Sequence, residues 1–442
     1  MGLIFLILFT LAEITLVVLT LTKFNEKSKW LNNRAIVRSA ELALMLGIIL
    51  VPATHMKWRF FIALAVLVIR FLIAGISWLV SRNKPLGAKN KAATVVNCVI
   101  TVLLFPLFPV PSFIFSNYNG LPVTGDYKVK QSDAVLVDKS RVDTFENDGS
   151  FTEVPAHFYY PDTAEGNFPL IIFSHGAFGY YQSNYSTYAE LASNGYVVVA
   201  LDHPHHAAFT KNTDGKIITV DSQFVNDAME IGGGDELNAE KTYTVTAEWL
   251  KLRTADESFV LDSIKDTKKS GELSDAWHAE SNADILGTVK MTDTEKICAM
   301  GHSLGGAAGV ELGRMRGDID TVIDLDGSAL GEITEVKDGK FAGDPEPYPV
   351  PVLVFVHGSS SDDGVTEEMV NNAKDGKLVF CPDANHMDFT DLSMLSPFFS
   401  QMLSGESRVN SEEFMTDINS AVLNWCDYYL KNEGTLSVQP QY

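Results

Sequence analysis

A serine, a histidine and several aspartates follow one another along this 442-residue chain in an order that suits nucleophilic catalysis. Ser303 stands in GHSLGG (301–306), which fits the Gly-x-Ser-x-Gly pattern of a sharp strand-to-helix turn that exposes a serine hydroxyl. An apolar segment (296–303) precedes this turn and a segment of small residues (304–317) follows it. The sequence therefore predicts that Ser303 is a nucleophile, and not part of a plain glycine-rich turn.

A serine hydroxyl needs a base and an orienting acid to become a strong nucleophile. Of the ten histidines, His386 in CPDANHMDF follows the last apolar strand, where a base is expected. Two positions suit the acid. Asp326 ends the strand after the nucleophile's helix, whereas Asp362 or Asp363 follows the next strand. Spacing alone leaves both positions open.

Charge that develops on the substrate carbonyl oxygen also needs hydrogen-bond donors. The backbone N–H of Leu304, directly after the serine, is one expected donor. The loop after the strand LIIFSHG supplies the second, and Ala177 is the expected residue. These two amides form the predicted oxyanion hole.

Metal and cofactor sites are not expected. His203, His205 and His206 are close in sequence, but strand alternation places two of them at most on one side, and no carboxylate stands at metal spacing. A role at the rim of the site is the preferred interpretation. The four cysteines are far apart and show no zinc-binding spacing.

Residues 126–442 are predicted to form one α/β domain. Short apolar strands alternate with helices from residue 168 to residue 432, which indicates a mostly parallel sheet with helices on both faces. An insertion at about 205–290 contains an amphipathic helix (238–266), expected to pack on the sheet. Its flanks, 227–237 and 268–284, are the candidates for a lid.

The first 116 residues are apolar and basic, and residues 117–125 are the expected linker. Lys and Arg number 12 against 3 Asp and Glu in residues 1–120, but 22 against 53 in the rest, which argues against nucleic-acid binding. Lys and Arg in the first and third loops predict that these loops are cytoplasmic and that the acidic domain is extracytoplasmic. Glu13 and Arg70 are expected to pair. Four apolar stretches predict a multi-pass region of four transmembrane helices: 3–21, 36–51, 58–80 and 93–115.

From about residue 122 to 432 the chain resembles the plasma-type platelet-activating factor acetylhydrolases and their bacterial lipase and esterase relatives in the α/β-hydrolase superfamily. The resemblance implies ester hydrolysis without a cofactor, with Asp326 as the acid beside Ser303 and His386 and with Ala177 and Leu304 as the oxyanion amides. The matching segments are TGDYKV (124–129), FYYP (158–161), FSHGAFG (173–179), LDHP (201–204), SFVLDSI (258–264), GHSLGG (301–306), LDG (325–327) and HMDFTD (386–391).

Two features depart from that family pattern, namely the membrane region and Gly327, where an aromatic residue commonly follows the acid. The predicted function is a membrane-anchored serine hydrolase of lipid-like or short-acyl esters. An acyltransferase or thioesterase would use the same triad, and a catalytically silent receptor or scaffold could keep the same fold. The oligomeric state is left open by the sequence.

Overall fold

The computed structural model describes residues 2–23, 26–49, 58–81, 83, 87–88, 90–105, 114–116, 118–233, 239–358 and 364–442. The chain divides into two compact units. The first consists of Met1–Tyr118 and Leu395–Phe398, and the second of Asn119–Met394 and Phe399–Tyr442.

The described part of the first unit is helical. Within it, the segment Phe61–Ser81 is long and apolar enough to cross a membrane, while Leu6–Thr22 and Lys91–Leu104 are apolar but shorter. The described residues therefore support one candidate span, and the prediction of four spans is not supported. The helices are α1 (Gly2–Thr22), α2 (Lys27–Ile49), α3 (Trp58–Ser81) and α4 (Lys91–Leu104).

Helix α2 differs from the predicted second span, 36–51. It begins at Lys27, so Lys29 and Arg34, which precede that predicted span, lie within the helix. The predicted pairing of Glu13 with Arg70 is confirmed as an ion pair. Arg38 adds a second contact to Glu13, at 2.7 Å, so two arginines neutralise one buried carboxylate. Because the loop charges that set the predicted orientation lie partly in α2, that orientation loses part of its basis.

The second unit is built on a sheet of nine described strands. They are β1 (Val129–Val142), β2 (Phe151–Pro161), β3 (Phe168–Ser174), β4 (Val197–Leu201), β7 (Trp277–Ala279), β8 (Thr292–His302), β9 (Thr321–Leu325), β12 (Val352–His357) and β13 (Gly376–Cys381). Their order in the sheet is β13-β12-β9-β8-β3-β4-β2-β1-β7. The six neighbouring strands from β13 to β4 are parallel, and β2, β1 and β7 continue the sheet in antiparallel fashion. Two small hairpins pair β5 (Phe209–Lys211) with β6 (Ile217–Thr219), and β10 (Ile333–Lys337) with β11 (Lys340–Gly343).

Both faces of the sheet are buried, as near-continuous apolar strands require. Strand β3 shows the alternation, since Leu170 and Ile172 belong to one core cluster and Ile171 and Phe173 to another. Helices cover both faces and connect the parallel strands. In chain order, the α-helices described after β3 are α5 (Tyr185–Ser193), α6 (Ser222–Gly233), α7 (Ala239–Ser270), α8 (Asn282–Met291), α9 (Leu304–Met315), α10 (Val365–Asn372), α11 (Asp391–Leu395), α12 (Pro397–Ser404) and α13 (Ser411–Cys426).

The long helix of the insertion is present as α7, and its buried positions include Leu250, Val260 and Ile264. The flank 268–284 differs from the expectation of a lid. Residues 277–279 form β7, which pairs with β1 at the edge of the main sheet, because Trp277 is buried in the core there. The other flank forms α6, and residues 234–238 lie outside the described residues.

Candidate active site

Ser303 lies on the turn between β8 and α9, and its backbone has φ 56° and ψ −128°. A positive φ is unusual for a residue with a side chain, and at this kind of turn it lifts the hydroxyl out of the sheet. The N–H of Ser303 donates to the carbonyl of Leu325 on the neighbouring strand, at 3.0 Å. The side chain is partly exposed, and the N-terminus of α9 lies directly behind it, where negative charge is favoured.

The glycines around Ser303 are needed because the backbone segments approach closely. A Cβ atom on Gly301 would lie 2.2 Å from the carbonyl carbon of Gly305. A Cβ on Gly305 would lie 2.0 Å from the carbonyl oxygen of Ser174, at the end of β3. A Cβ on Gly306 would lie 1.9 Å from Asp324 Oδ1. The sharp turn therefore depends on the absence of side chains at all three positions.

His386 and Asp326 meet Ser303 at this turn. Ser303 Oγ lies 2.9 Å from Nε2 of His386, and Nδ1 of His386 lies 2.5 Å from Oδ2 of Asp326. The side chain of Asp326 is 3% exposed and that of His386 is 29% exposed. The structure thus brings the three predicted residues into one hydrogen-bonded chain, here named the elbow chain. The alternative acids Asp362 and Asp363 lie outside the described residues.

The carboxylate of Asp326 is held in its ionised form. Burial opposes ionisation, but hydrogen bonds from His357 and His386 outweigh it and lower the pKa of Asp326 below its ordinary value. The backbone N–H of His357 also donates to Oδ1, at 2.7 Å. An ionised acid at this position keeps the proton of His386 on Nδ1, which leaves Nε2 to accept a proton from Ser303.

Two further histidines stand beside the elbow chain, and the sequence analysis missed both roles. The Nε2–H of His302 donates to the backbone carbonyl of His386, at 3.1 Å. Burial, and then the proximity of His386, lower the pKa of His302 to about 3, so it is a neutral donor. Nδ1 of His357 lies 2.8 Å from Oδ2 of Asp326.

Asn385 fixes the backbone at His386. Its Oδ1 accepts hydrogen bonds from the N–H groups of Met387 and Asp388, at 2.9 and 3.1 Å, and Asp388 returns a bond to the N–H of Asn385. This reciprocal pair caps the short 3-10 helix His386–Phe389. The motif NHMD signals such a cap, so this support could have been recognised in the sequence.

The predicted oxyanion loop lies against the turn. A Cβ on Gly176 would lie 3.1 Å from Cβ of Ser303, so the loop after β3 passes beside the hydroxyl. Ala177 follows at once and is partly exposed, and Leu304 is the first residue of α9. The next residue, Phe178, has φ 61°, and its N–H donates to the carbonyl of His206, at 3.1 Å, which fixes the end of the loop.

The family profile described as "Platelet-activating factor acetylhydrolase, isoform II" matches residues 149–437, more than half of the chain. The chain belongs to this family. A platelet-activating factor acetylhydrolase of Cavia porcellus is 27% identical over 298 residues, which cover 63% of this chain and 61% of the relative. A Bos taurus protein of the same name is 29% identical over 170 residues, which cover 37% of this chain and 35% of the relative. The chain thus matches 61% or less of the length of these two relatives.

Among solved structures, a ferulic acid esterase from Streptomyces cinnamoneus is similar with a TM-score of 0.53 and 19% identity, covering 72% of this chain and 94% of that chain. This likeness, together with the mostly parallel sheet, confirms the α/β-hydrolase fold. The family match confirms the resemblance to platelet-activating factor acetylhydrolases, a family of carboxylic ester hydrolases.

Gly327 is the position at which this family member departs from the expected pattern. A Cβ on Gly327 would lie 2.4 Å from the carbonyl oxygen of Ser303 and 2.8 Å from the N–H nitrogen of Ala307. The residue after the acid therefore packs against the turn itself. An aromatic side chain here would require the backbone of the turn to shift.

A second Ser–His–Asp chain lies beneath the oxyanion loop and was not predicted. Oγ of Ser174 lies 2.8 Å from Nε2 of His203, and Nδ1 of His203 lies 2.9 Å from Oδ2 of Asp256 on α7. The side chains of Ser174, His203 and Asp256 are each 1% exposed or less. This set is here named the buried chain.

Arg253 on α7 ties the buried chain to the loop. It is fully buried and donates to the carbonyl oxygen of His175 and, at 3.2 Å, to Oγ of Ser174. The N–H of His203 approaches Nε2 of His175, at 3.3 Å, while Nδ1–H of His175 donates to the carbonyl of Gly176, at 2.6 Å. Every residue from 174 to 176 is thus held by polar contacts. Helix α7, expected only to pack on the sheet, also supports the loop that carries Ala177.

The histidine cluster at 203–206 does not converge on a common point. His203 belongs to the buried chain, His205 lies 3.3 Å from Asp143, and His206 stacks on Phe224 with ring centroids 4.0 Å apart. The three imidazoles thus have different partners, and the backbone at His205 has a positive φ of 69°. The positions therefore fit a supporting role beside the loop.

Helix α6 and helix α7 cover one side of the oxyanion loop. Phe224 and Leu250 form an apolar cluster with Leu304, and Ala177 packs against it. A cavity of about 710 Å³ is lined in part by Phe224 and Trp249, and its lining includes no residue of the elbow chain. The lid candidate 227–237 thus belongs in part to a helix whose first turn packs near the predicted oxyanion amides.

Proposed function

We propose that this protein is a serine hydrolase that cleaves carboxylic esters through an acyl-enzyme on Ser303. The observation that carries the proposal is the elbow chain, with Oγ–Nε2 and Nδ1–Oδ2 distances of 2.9 and 2.5 Å at a turn of positive φ. The family match supports the same reaction class. Because the match leaves much of the relatives' length uncovered, the activity of this chain is inferred from its own geometry.

In the first half of the reaction, Oγ of Ser303 attacks the ester carbonyl carbon while its proton passes to Nε2 of His386. Asp326 holds the Nδ1–H and stabilises the imidazolium that forms. The negative oxygen of the tetrahedral intermediate accepts hydrogen bonds from the N–H groups of Ala177 and Leu304, and each such donor contributes about 3 kcal/mol to the transition state. The C–O bond to the leaving alcohol then breaks, and His386 gives the alcohol its proton.

In the second half, water takes the place of the alcohol. His386 accepts a proton from water as the oxygen attacks the acyl carbon, and returns it to Oγ of Ser303 when the acid product leaves. The names of the relatives describe removal of an acetyl group from platelet-activating factor. Short-acyl esters of lipid-like alcohols are therefore the proposed substrates.

Hydrolysis of a series of 4-nitrophenyl esters tests the proposal. The full chain in detergent is expected to hydrolyse the short-acyl esters, and Ser303→Ala is expected to lose that activity. The proposal would be contradicted if Ser303→Ala hydrolysed these esters at the wild-type rate. Added alcohol tests the alternative of acyl transfer, because a transferase would form mainly the new ester. A catalytically silent scaffold would hydrolyse none of the esters in the series.

We further propose that the first unit attaches the enzyme to a membrane, with Phe61–Ser81 as the candidate span. Residues 126–442 would then be the catalytic domain, and an extracytoplasmic position remains the prediction from the loop charges. Extraction of membranes with alkaline carbonate tests attachment, because an integral protein stays in the pellet. Protection from added protease tests the orientation, since an extracytoplasmic domain is cut on intact cells.

A further inference from the structure

The carboxylate of Asp326 is shared between two imidazoles. Nδ1 of His386 lies 2.5 Å and Nδ1 of His357 lies 2.8 Å from the same oxygen, Oδ2. The two rings have their centroids 6.0 Å apart and are inclined by 65°. In the proposed reaction only His386 carries a proton, so the imidazole of His357 helps to hold the carboxylate but takes no part in proton transfer.

We propose that Asp326, His357 and His386 form an inhibitory site for a divalent transition-metal ion such as Zn²⁺. The inference rests on the proposed function, because its effect is the loss of the base that activates Ser303. The three side chains each offer one ligand atom, and these atoms all lie within 4.8 Å of one another. Two imidazole nitrogens and one carboxylate oxygen are a ligand set that suits zinc, with a fourth position left for water.

The distances require only a small adjustment. Zinc binds nitrogen and oxygen at about 2.0–2.2 Å, so two ligands at a tetrahedral angle are roughly 3.3 Å apart. The present N–O distances of 2.5 and 2.8 Å would open by roughly 0.8 and 0.5 Å to admit the ion. The two imidazole nitrogens, which lie within 4.8 Å of each other, would take up the same spacing. The site is reachable, since the side chain of His357 is 47% exposed and that of His386 is 29% exposed.

Other histidines do not compete for the ion in the part of the chain that the structure describes. His302 is buried, and its Nε2–H donates to the carbonyl of His386, so it holds the backbone of one ligand. The three ligands come from the ends of β9 and β12 and from the short helix that follows β13. Asp326 and His357 therefore follow or end two neighbouring parallel strands, and the Asn385 cap holds the backbone at His386.

Inhibition follows from the tautomer of His386. In the elbow chain its single N–H is on Nδ1, facing Asp326, and the lone pair of Nε2 faces Ser303. A metal ion on Nδ1 takes the lone pair of that atom, so the proton of the neutral imidazole moves to Nε2. Nε2–H cannot accept the proton of Ser303, and attack on the ester stops. Because both imidazoles are neutral before the ion binds, binding releases no proton from them. As the pH falls, protons compete with the ion for the imidazole nitrogens and binding weakens.

The test measures ester hydrolysis by the full chain at buffered free Zn²⁺ concentrations, with each variant normalised to its own zinc-free rate. The wild type is expected to be inhibited, and excess EDTA is expected to restore the rate. His357→Asn and His357→Gln should each raise the half-inhibiting Zn²⁺ concentration at least about tenfold. His278→Asn, which removes an exposed histidine elsewhere, should behave as the wild type. Mg²⁺ should have no effect.

A binding measurement separates this proposal from the proposed function. Ser303→Ala keeps all three ligands, so it should take up one Zn²⁺ in competition with a chromophoric chelator, and Ser303→Ala/His357→Asn should bind it at least about tenfold more weakly. Equal binding by these two proteins, or equal inhibition of wild type and His357→Asn, would overturn the metal site. Absence of hydrolysis by the zinc-free wild type would overturn the proposed function, while the chelator measurement would still decide the site.

Discussion

The elbow chain (Ser303, His386, Asp326) and the buried chain (Ser174, His203, Asp256) start at the ends of two neighbouring parallel strands, β8 and β3. Both join the serine hydroxyl to Nε2 and the carboxylate to Nδ1, with distances of 2.9 and 2.5 Å in the elbow chain and 2.8 and 2.9 Å in the buried chain. Residue types, atoms and distances therefore agree. Hydrogen-bond geometry alone does not distinguish a nucleophile from a structural serine.

The electrostatic surroundings differ. Burial, and then Arg253 and Arg141, lower the pKa of His203 well below its ordinary value, so its imidazole stays neutral. Burial raises the pKa of Asp256 to about 6, although Arg141 opposes this. In the elbow chain the hydrogen bonds to Asp326 outweigh burial and lower its pKa. Burial thus disfavours the charged forms of both His203 and Asp256, whereas Asp326 is held ionised, which favours the elbow chain for stabilising an imidazolium.

The backbone around the two serines differs as well. Ser303 stands on a turn of positive φ, partly exposed and next to the proposed oxyanion amides, whereas Ser174 ends a buried strand and accepts a hydrogen bond from Arg253. Of these two serines, Ser303 is partly exposed and Ser174 is fully buried. We infer that the buried chain supports the loop that carries Ala177, and the following changes test this division of roles.

Replacing the two serines should give the largest contrast. Ser303→Ala is expected to lower kcat by roughly 10⁴-fold or more, because no other group can form the acyl-enzyme. Ser174→Ala removes one contact beneath the loop, and its kcat is expected to fall by about tenfold or less. Steady-state kinetics with a 4-nitrophenyl ester measure both. Comparable losses in the two variants would abolish the distinction.

The acid should give the next largest effect. Asp326→Asn is expected to lower kcat by about 10³- to 10⁴-fold, because the amide favours the wrong tautomer of His386. Asp363→Asn is the matched control and should keep near-normal turnover. A large loss in Asp363→Asn together with normal turnover in Asp326→Asn would assign the acid to the other position.

Arg253 should affect the reaction through the oxyanion loop. Arg253→Met removes the donor to the carbonyl of His175, and kcat is expected to fall by about 10- to 100-fold while KM changes by about twofold or less. Arg253→Lys should recover part of the loss. Lys251→Met, an exposed change on the same helix, is the control. A change of KM with unaltered kcat would show that Arg253 acts on substrate binding instead.

Glu257 should affect the pH dependence of stability more than it affects turnover. Burial raises the pKa of this fully buried carboxyl to about 8, and Arg253 opposes the shift. The folded protein therefore keeps the proton of Glu257 up to a pH of about 8, whereas the unfolded chain loses it near pH 4.5. The contribution of this group to the free energy of unfolding is complete below pH 4.5 and is lost as the pH rises to about 8.

In Glu257→Gln this decline should be smaller by up to about 1.4 kcal/mol per pH unit, because no carboxyl is left to ionise. Urea unfolding at pH 5, 6.5 and 8 measures the free energy of unfolding of each protein. Glu248→Gln, a substitution at an exposed position on α7, is the control. Parallel pH profiles for wild type and Glu257→Gln would show that Glu257 is ionised in the folded protein.

The sequence predicted the elbow chain more completely than the buried chain for a physical reason. Ser303 carries its own local signature, since the close approaches at Gly301, Gly305 and Gly306 demand glycine. Ser174, His203 and Asp256 come from β3, the loop after β4 and α7, and no spacing links them. Their contact depends on how α7 packs against the sheet, which hydrophobic periodicity does not specify.

The first unit, Met1–Tyr118 with Leu395–Phe398, differs more from the sequence prediction. Apolar stretches predicted four spans, but α2 carries Arg38 and Glu41 within the helix, where Arg38 pairs with Glu13. Hydropathy counts these groups as charged, and only a folded arrangement shows that they neutralise one another. His357 was likewise missed because its contact with Asp326 joins two strand ends separated by a helix and a hairpin.

Mapping of a fluorophosphonate adduct on the full-length protein tests the central claim most directly. The account predicts one adduct per chain, carried by the peptide that contains Ser303, with Ser174 unmodified and with no labelling of Ser303→Ala. An adduct on Ser174, or undiminished labelling of Ser303→Ala, would contradict it.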